Sequence, residues 1–125
     1  MPDKPQDSAT PPIVAHGDKH FMPAGSGALH PIFPGVNIRT HALENVMISV
    51  VHLEAGAVVA LHQHPHEQMG LLISGVFDFT IGDETRRLHP GDMWRIPSNV
   101  PHTVVAVGGP AVALDVFSPI REDYL

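Results

Sequence analysis

His62, His64, Gln68 and His102 carry the chemistry most visible in this chain. The first two are separated by one residue, Gln68 follows four residues on, and His102 stands behind Pro101. Neutral imidazole is the commonest protein ligand for zinc, iron, nickel and similar ions, and an amide oxygen can add to such a set. On a strand, alternate side chains share a face, so His62 and His64 would look the same way. The third imidazole must come from elsewhere, and Pro101-His102, at the start of a later apolar run, can deliver it. A His-x-His pair taken alone fits two surface histidines equally well. Glu67 is a rival oxygen donor to Gln68; a regular strand points it outward, although Pro65 could bend the chain. His66 shares the parity of the ligands and is expected at the rim, with direct ligation as the alternative. His41, His52 and His89 are read as surface or structural residues, and His16 and His20 as surface ones.

A second group lies near the C-terminus. Asp115 and Phe117 share a face of the apolar run Ala111–Phe117. If that face is inward, a carboxylate and an aromatic ring enter an apolar interior. A buried carboxylate beside a metal either supports a ligating histidine or transfers protons. Arg121, just beyond, has the planar fork that grips carboxylates through two hydrogen bonds. Its plainer alternative is a surface ion pair with Glu122 or Asp123.

The segments that must position these groups read as strands. Val36–Thr40 and Val46–Leu53 are β-branched and apolar, and Glu54-Ala55-Gly56 turns the chain. Val58–His62, Met69–Ile73, Val76–Ile81, Thr85–Leu88, Met93–Ile96, Thr103–Val107 and Ala111–Phe117 follow, each bounded by Gly, Pro, Ser or Asp. Gly82-Asp83 is a hairpin signal. Phe21–Pro34, rich in Gly and Pro, is expected to wrap the edge of the domain. Nothing keeps a 3.6-residue apolar period, so eight or nine short strands predict an all-β sandwich or barrel.

The bulk composition narrows the rest. The chain's 125 residues suit one domain, and 43% hydrophobic with 16% charged residues is a globular balance. A net charge of −6, with Arg86-Arg87 the one adjacent basic pair, argues against nucleic acid as a partner. There is no cysteine, hence no disulfide framework and no thiolate site. No apolar run approaches a membrane span, and residues 1–20, polar and proline-rich, read as a flexible lead-in without a secretory signal. The expectation is a soluble cytoplasmic protein, with residues 21–125 forming the barrel and dimerisation a natural supplement to a small core.

Spacing then points to a family. Gly56, five residues, His62-x-His64, three residues, Gln68, six residues and Gly75 resemble the first motif of the metal-dependent cupins. Gly91, five residues, Pro97 and then His102 resemble the second, so the motif region spans 56–106 and the resemblance about 36–120. It implies a single cupin barrel, a double-stranded β-helix or jelly roll, holding one divalent ion (Zn, Ni, Mn or Fe) through His62, His64, His102 and Gln68. Asn99 stands where glycine is frequent and Ala106 where asparagine is; Asn tolerates positive φ, so the former is a mild change. Gln68 replaces the usual glutamate, which leaves one more positive charge on the site and favours an anionic substrate.

His-x-His-Pro-His-Glu-Gln together with Asp-x-Phe-Ser-Pro-x-Arg looks like the small cupins of pectin and alginate degradation. These open 4,5-unsaturated uronate rings to linear 5-keto-4-deoxyuronates. The resemblance implies catalytic or binding roles for Asp115, Phe117 and Arg121, with Phe77, Phe79 and Trp94 as apolar walls, and a homodimer acting on a small sugar acid. Two other readings use the same ligands: a cupin dioxygenase or lyase acting on another small organic acid, and a non-catalytic metal- or sugar-binding module.

Overall fold

The computed structural model describes residues 20–125, so the lead-in expected over 1–20, including His16, lies outside the described residues but for His20. Among the described residues the chain forms ten strands and one 3-10 turn. They are β1 (Ala28–Phe33), β2 (Val36–Ala42), β3 (Met47–Leu53), β4 (Val58–His62), β5 (Glu67–Ser74), β6 (Phe77–Ile81), β7 (Glu84–Leu88), β8 (Met93–Ile96), β9 (His102–Ala106), β10 (Ala111–Ser118) and the turn Glu122–Tyr124. A six-stranded sheet in the order β1-β2-β3-β10-β5-β8 faces a four-stranded sheet, β4-β9-β6-β7, and every pairing is antiparallel. This is an all-β barrel, as the strand spacing predicts, of the cupin kind that the motif resemblance implies.

Alternation builds it. On β2, Val36, Ile38 and Thr40 are buried; on β3, Met47, Ser49, Val51 and Leu53 are. Their inner faces meet Leu72, Phe77, Phe79, Trp94 and Val104 in one cluster between the sheets. Rings in that cluster meet tilted or edge-on, Phe79 with its centroid 5.1 Å from Trp94 and Phe77 6.3 Å from Phe79. The Gly82-Asp83 hairpin joins β6 to β7 with Ile81 opposite Glu84. Across that ladder Arg87 grips Asp78 with two hydrogen bonds, of 2.8 and 2.9 Å.

Strand β1 is a departure from the sequence reading, which treats residues 21–34 as a wrapping segment. It is an edge strand, paired on one side to β2. Pro31 cannot donate to a ladder, and the edge is where a sheet tolerates it.

One close approach shapes the interior. Gly70 lies in register between Trp94 on β8 and Asp115 on β10. A Cβ there would come within 2.2 Å of the Trp94 indole, so the ring lies flat across β5 only because residue 70 has no side chain. Asn99 takes φ 64°, the left-handed conformation its side chain tolerates.

Candidate metal centre and its cavity

A register slip in β4 sets the first ligand candidate. Val58 and Val59 pair with Val105 and Val104, but His62 pairs with His102, so β4 carries one residue more than its partner. Val59 lines the interior, and uninterrupted alternation would send Leu61 there too. The bulge reverses this, leaving Leu61 67% exposed and bringing His62 to the cavity wall. Strand β4 ends at His62, so His64 sits in the following loop rather than on the same strand. Both rings still face one point, but by a bulge and a loop instead of simple alternation.

The ligand-type nitrogens of His62, His64 and His102 all lie within 4.8 Å of one another. Each ring is aimed by its own backbone. Nδ1 of His62 donates to the Ala60 carbonyl at 2.7 Å, Nδ1 of His102 to Val100 at 2.8 Å, and Nδ1 of His64 to His66 at 3.0 Å. A carbonyl can only accept, so Nδ1 carries the hydrogen in all three and each Nε2 presents a lone pair. His102 Nε2 is buried with no partner in the protein. Burial lowers the pKa of His64, helped by Arg121, and lowers that of His102 to about 4. These rings are therefore neutral near neutral pH, the form that binds metal.

Gln68 is buried and Glu67 beside it is exposed, as strand alternation requires. Gln68 Oε1 lies 3.0 Å from His64 Nε2. The Gln68 amide group also bonds the Asp115 carboxylate, which can only accept from it, and this turns Oε1 toward the histidines. Two lone-pair atoms face each other there, and His102 Nε2 is orphaned nearby. A cation fits this donor set. His66 is half-buried, its ring centroid 5.5 Å from His64, and its ring lies outside the convergent group of three.

Asp115 and Phe117 do point inward and line one cavity with His62, Gln68 and His102. Asp115 Oδ1 accepts the Trp94 indole N–H at 3.0 Å. The carboxylate is thus held by Gln68 and Trp94 rather than by a ligating histidine. Burial pushes its pKa up to about 6, against the pull of those hydrogen bonds and of Arg121. The Phe117 ring meets His64 edge-on with centroids 5.8 Å apart.

Arg121 makes the ion pair of its plainer reading and also lines the cavity. Its Nη2 donates to Asp123 at 3.1 Å, yet the side chain is only 12% exposed and lines the cavity. The guanidinium carbon lies 4.1 Å from the Tyr124 ring centroid and 5.4 Å from that of Phe117. Its Nε is buried and unpartnered. Tyr124 was not legible as a site residue. Its backbone carbonyl accepts from His30 Nε2 at 2.9 Å and from Thr40 Oγ1, tying the C-terminal turn to β1 and β2. Those partners stand 94 and 84 residues away along the chain. Ser49 was also missed, being one small polar residue in an apolar run.

Two antiparallel sheets enclosing three convergent histidines, with a glutamine and a buried carboxylate on the same wall, define a cupin barrel with a metal-binding type of centre. The cupin domain family profile matches residues 49–117, and the chain belongs to that family. It is 35% identical over 83 residues to the pectin degradation protein KdgF of Dickeya dadantii, covering 66% of this chain and 76% of that protein. The solved structure of KdgF from a Halomonas species superposes with a TM-score of 0.73 at 34% identity, covering 78% of this chain and 90% of the other. The resemblance to pectin-degradation cupins read from the motifs is thereby shown. The dimethylsulfoniopropionate lyase DddQ of Ruegeria pomeroyi is 35% identical over 74 residues, which are 58% of this chain but only 37% of that protein.

Proposed function

We propose that this protein is a metal-dependent enzyme of sugar-acid catabolism that opens the ring of 4,5-unsaturated uronates. The observation that carries the reading is the convergence on one cavity of the histidine group, the buried Asp115 carboxylate and the unpartnered Nε of Arg121. The similarity to two KdgF proteins supplies the substrate class. His62, His64, His102 and Gln68 would hold one divalent ion, whose role when bound is to polarise oxygens of the substrate.

The remaining work belongs to the chain. Arg121, stiffened by Tyr124 and Asp123, receives the anionic end of the substrate. Asp115 moves the proton. Opening the hemiacetal transfers the C1 hydroxyl proton to Asp115 as the C1–O5 bond breaks, leaving an aldehyde at C1 and an enolate at C5; return of that proton to C4 then gives the 5-keto group. Atoms and electrons balance with no oxidant. Phe117 and Trp94 wall the cavity and exclude water from it.

The same reading makes the barrel of residues 21–125 the catalytic domain of a cytoplasmic homodimer. Its support is the outer face of the six-stranded sheet, where Leu29, Arg39, Val50, Leu114, Leu71 and Met93 form one row across the strands. Five of the six are apolar, and Met93 is 74% exposed.

The test is turnover of 4,5-unsaturated galacturonate by metal-reconstituted protein, followed as loss of the conjugated double-bond absorbance against a spontaneous blank. Acceleration that disappears in His62→Ala and Asp115→Asn, with Asp115→Asn retaining its metal, supports the proposal. No acceleration with metal bound sinks it. The similarity to DddQ favours a second reading, a lyase on another small organic acid, and turnover of dimethylsulfoniopropionate in place of the uronate would select it.

A further inference from the structure

Among the described residues, Ser49 and Thr40 are the buried polar residues that neither the metal centre nor proton transfer uses, and of the two only Ser49 has an unpartnered hydroxyl. It is 1% exposed, lines the cavity, and its hydroxyl has no partner in the protein. Its neighbours on the inner face of β3, Met47 and Val51, are apolar. In register it lies between Thr40 on β2 and Asp115 on β10. Such side chains on one face stand close enough to touch, yet neither takes its hydrogen bond. The Thr40 hydroxyl is committed to the Tyr124 carbonyl, and the Asp115 carboxylate is bonded to Trp94 and Gln68. An unpaired buried hydroxyl costs stability that alanine at the same position would not. On the wall of a cavity, such a hydroxyl is placed to be satisfied by a ligand.

We infer that Ser49 is a specificity-determining residue, its hydroxyl bonding a hydroxyl of the substrate beside Asp115, so that the cavity selects hydroxylated acids over bare ones. This rests on the uronate reading above and deepens it. Arg121 Nε receives the charged end, and Ser49 reads the polyol. A site built around a hydrogen bond to a substrate hydroxyl discriminates strongly against analogues that lack it, because its own polar group is then left unpaired.

The experiment compares metal-loaded, full-length wild type with Ser49→Ala. Three quantities are measured: KM for 4,5-unsaturated galacturonate, inhibition by cyclohexanecarboxylate (a ring acid with no hydroxyls), and the melting temperature without ligand. The expected result is a KM raised about tenfold, unchanged inhibition by cyclohexanecarboxylate, and a melting temperature no lower than wild type. An unchanged KM overturns the inference while leaving the uronate reading standing. So does a parallel weakening of substrate and cyclohexanecarboxylate. A lowered melting temperature also overturns it, since the hydroxyl would then be used inside the fold. Absence of turnover by the wild type overturns the inference and the uronate reading together.

Discussion

At the scale of single residues, the centre is a set of lone pairs fixed by backbone carbonyls. His62, His64 and His102 each spend Nδ1 on a nearby carbonyl, so their tautomers are set before any ion arrives. His102→Ala removes the most enclosed of the three nitrogens. It should lower bound metal well below the wild-type content, read by elemental analysis after dialysis. Arg121→Gln keeps hydrogen-bonding capacity but loses the charge. Its expected effect is a rise in KM of about ten- to a hundredfold for an anionic substrate, with metal content unchanged. Gln68 was readable as the inward-facing residue of the pair because strand parity separates it from Glu67, and the burial of the two residues follows that parity. Ser49 and Tyr124 were not readable. Their roles come from neighbours on other strands or from chain dozens of residues away.

Among the elements, the bulge in β4 and the glycine in β5 do the positioning. The bulge depends on how β4 pairs with β9, and no local feature of Val58–His62 announces it. The two histidines were therefore legible as a pair, and the means of aiming them was not. Strand β1 escaped for a related reason: with Pro31 and few β-branched residues it has weak strand character, and its conformation comes from lying against β2. The strands from β2 to β10 were legible because their apolar alternation and Gly or Pro boundaries are local. Gly70 offers the test at this scale. Gly70→Ala would drive a methyl into the Trp94 indole and detach that ring from Asp115. It should destabilise the fold by about 1–3 kcal/mol in denaturant titration. Catalysis should fall by more than the lost stability accounts for, with the ligand histidines untouched.

Taken whole, the molecule buries titrating groups whose effects on stability oppose each other. In the metal-free protein His102 is pushed down to about 4, so acid favours the unfolded chain, whose histidines take up protons from about pH 6.5 downward. That contribution is fully present above about pH 6.5 and is lost as pH falls toward 4. Asp115 works in the opposite sense. Its carboxyl, raised to about 6, binds its proton more readily in the folded state, so acid relieves a cost present at higher pH. Metal-free Asp115→Asn should therefore lose stability more steeply than wild type between about pH 6.5 and 4, measured as denaturant midpoints. If the outer sheet face pairs two copies, Leu114→Asp should halve the mass seen by light scattering while leaving the barrel folded.

The chain contains one tryptophan and one tyrosine, and both line the cavity. Trp94 holds Asp115 through its indole N–H, and Tyr124 lies beneath the Arg121 guanidinium. Near-ultraviolet absorption and emission from these two rings therefore come from the walls of the site, with no background from indole or phenol elsewhere. Intrinsic fluorescence becomes a label-free gauge of occupancy: a ligand that disturbs Asp115 or Arg121 alters the surroundings of one fluorophore or the other. Titrations of metal, sugar acids and their analogues can be read from the unmodified protein in a cuvette.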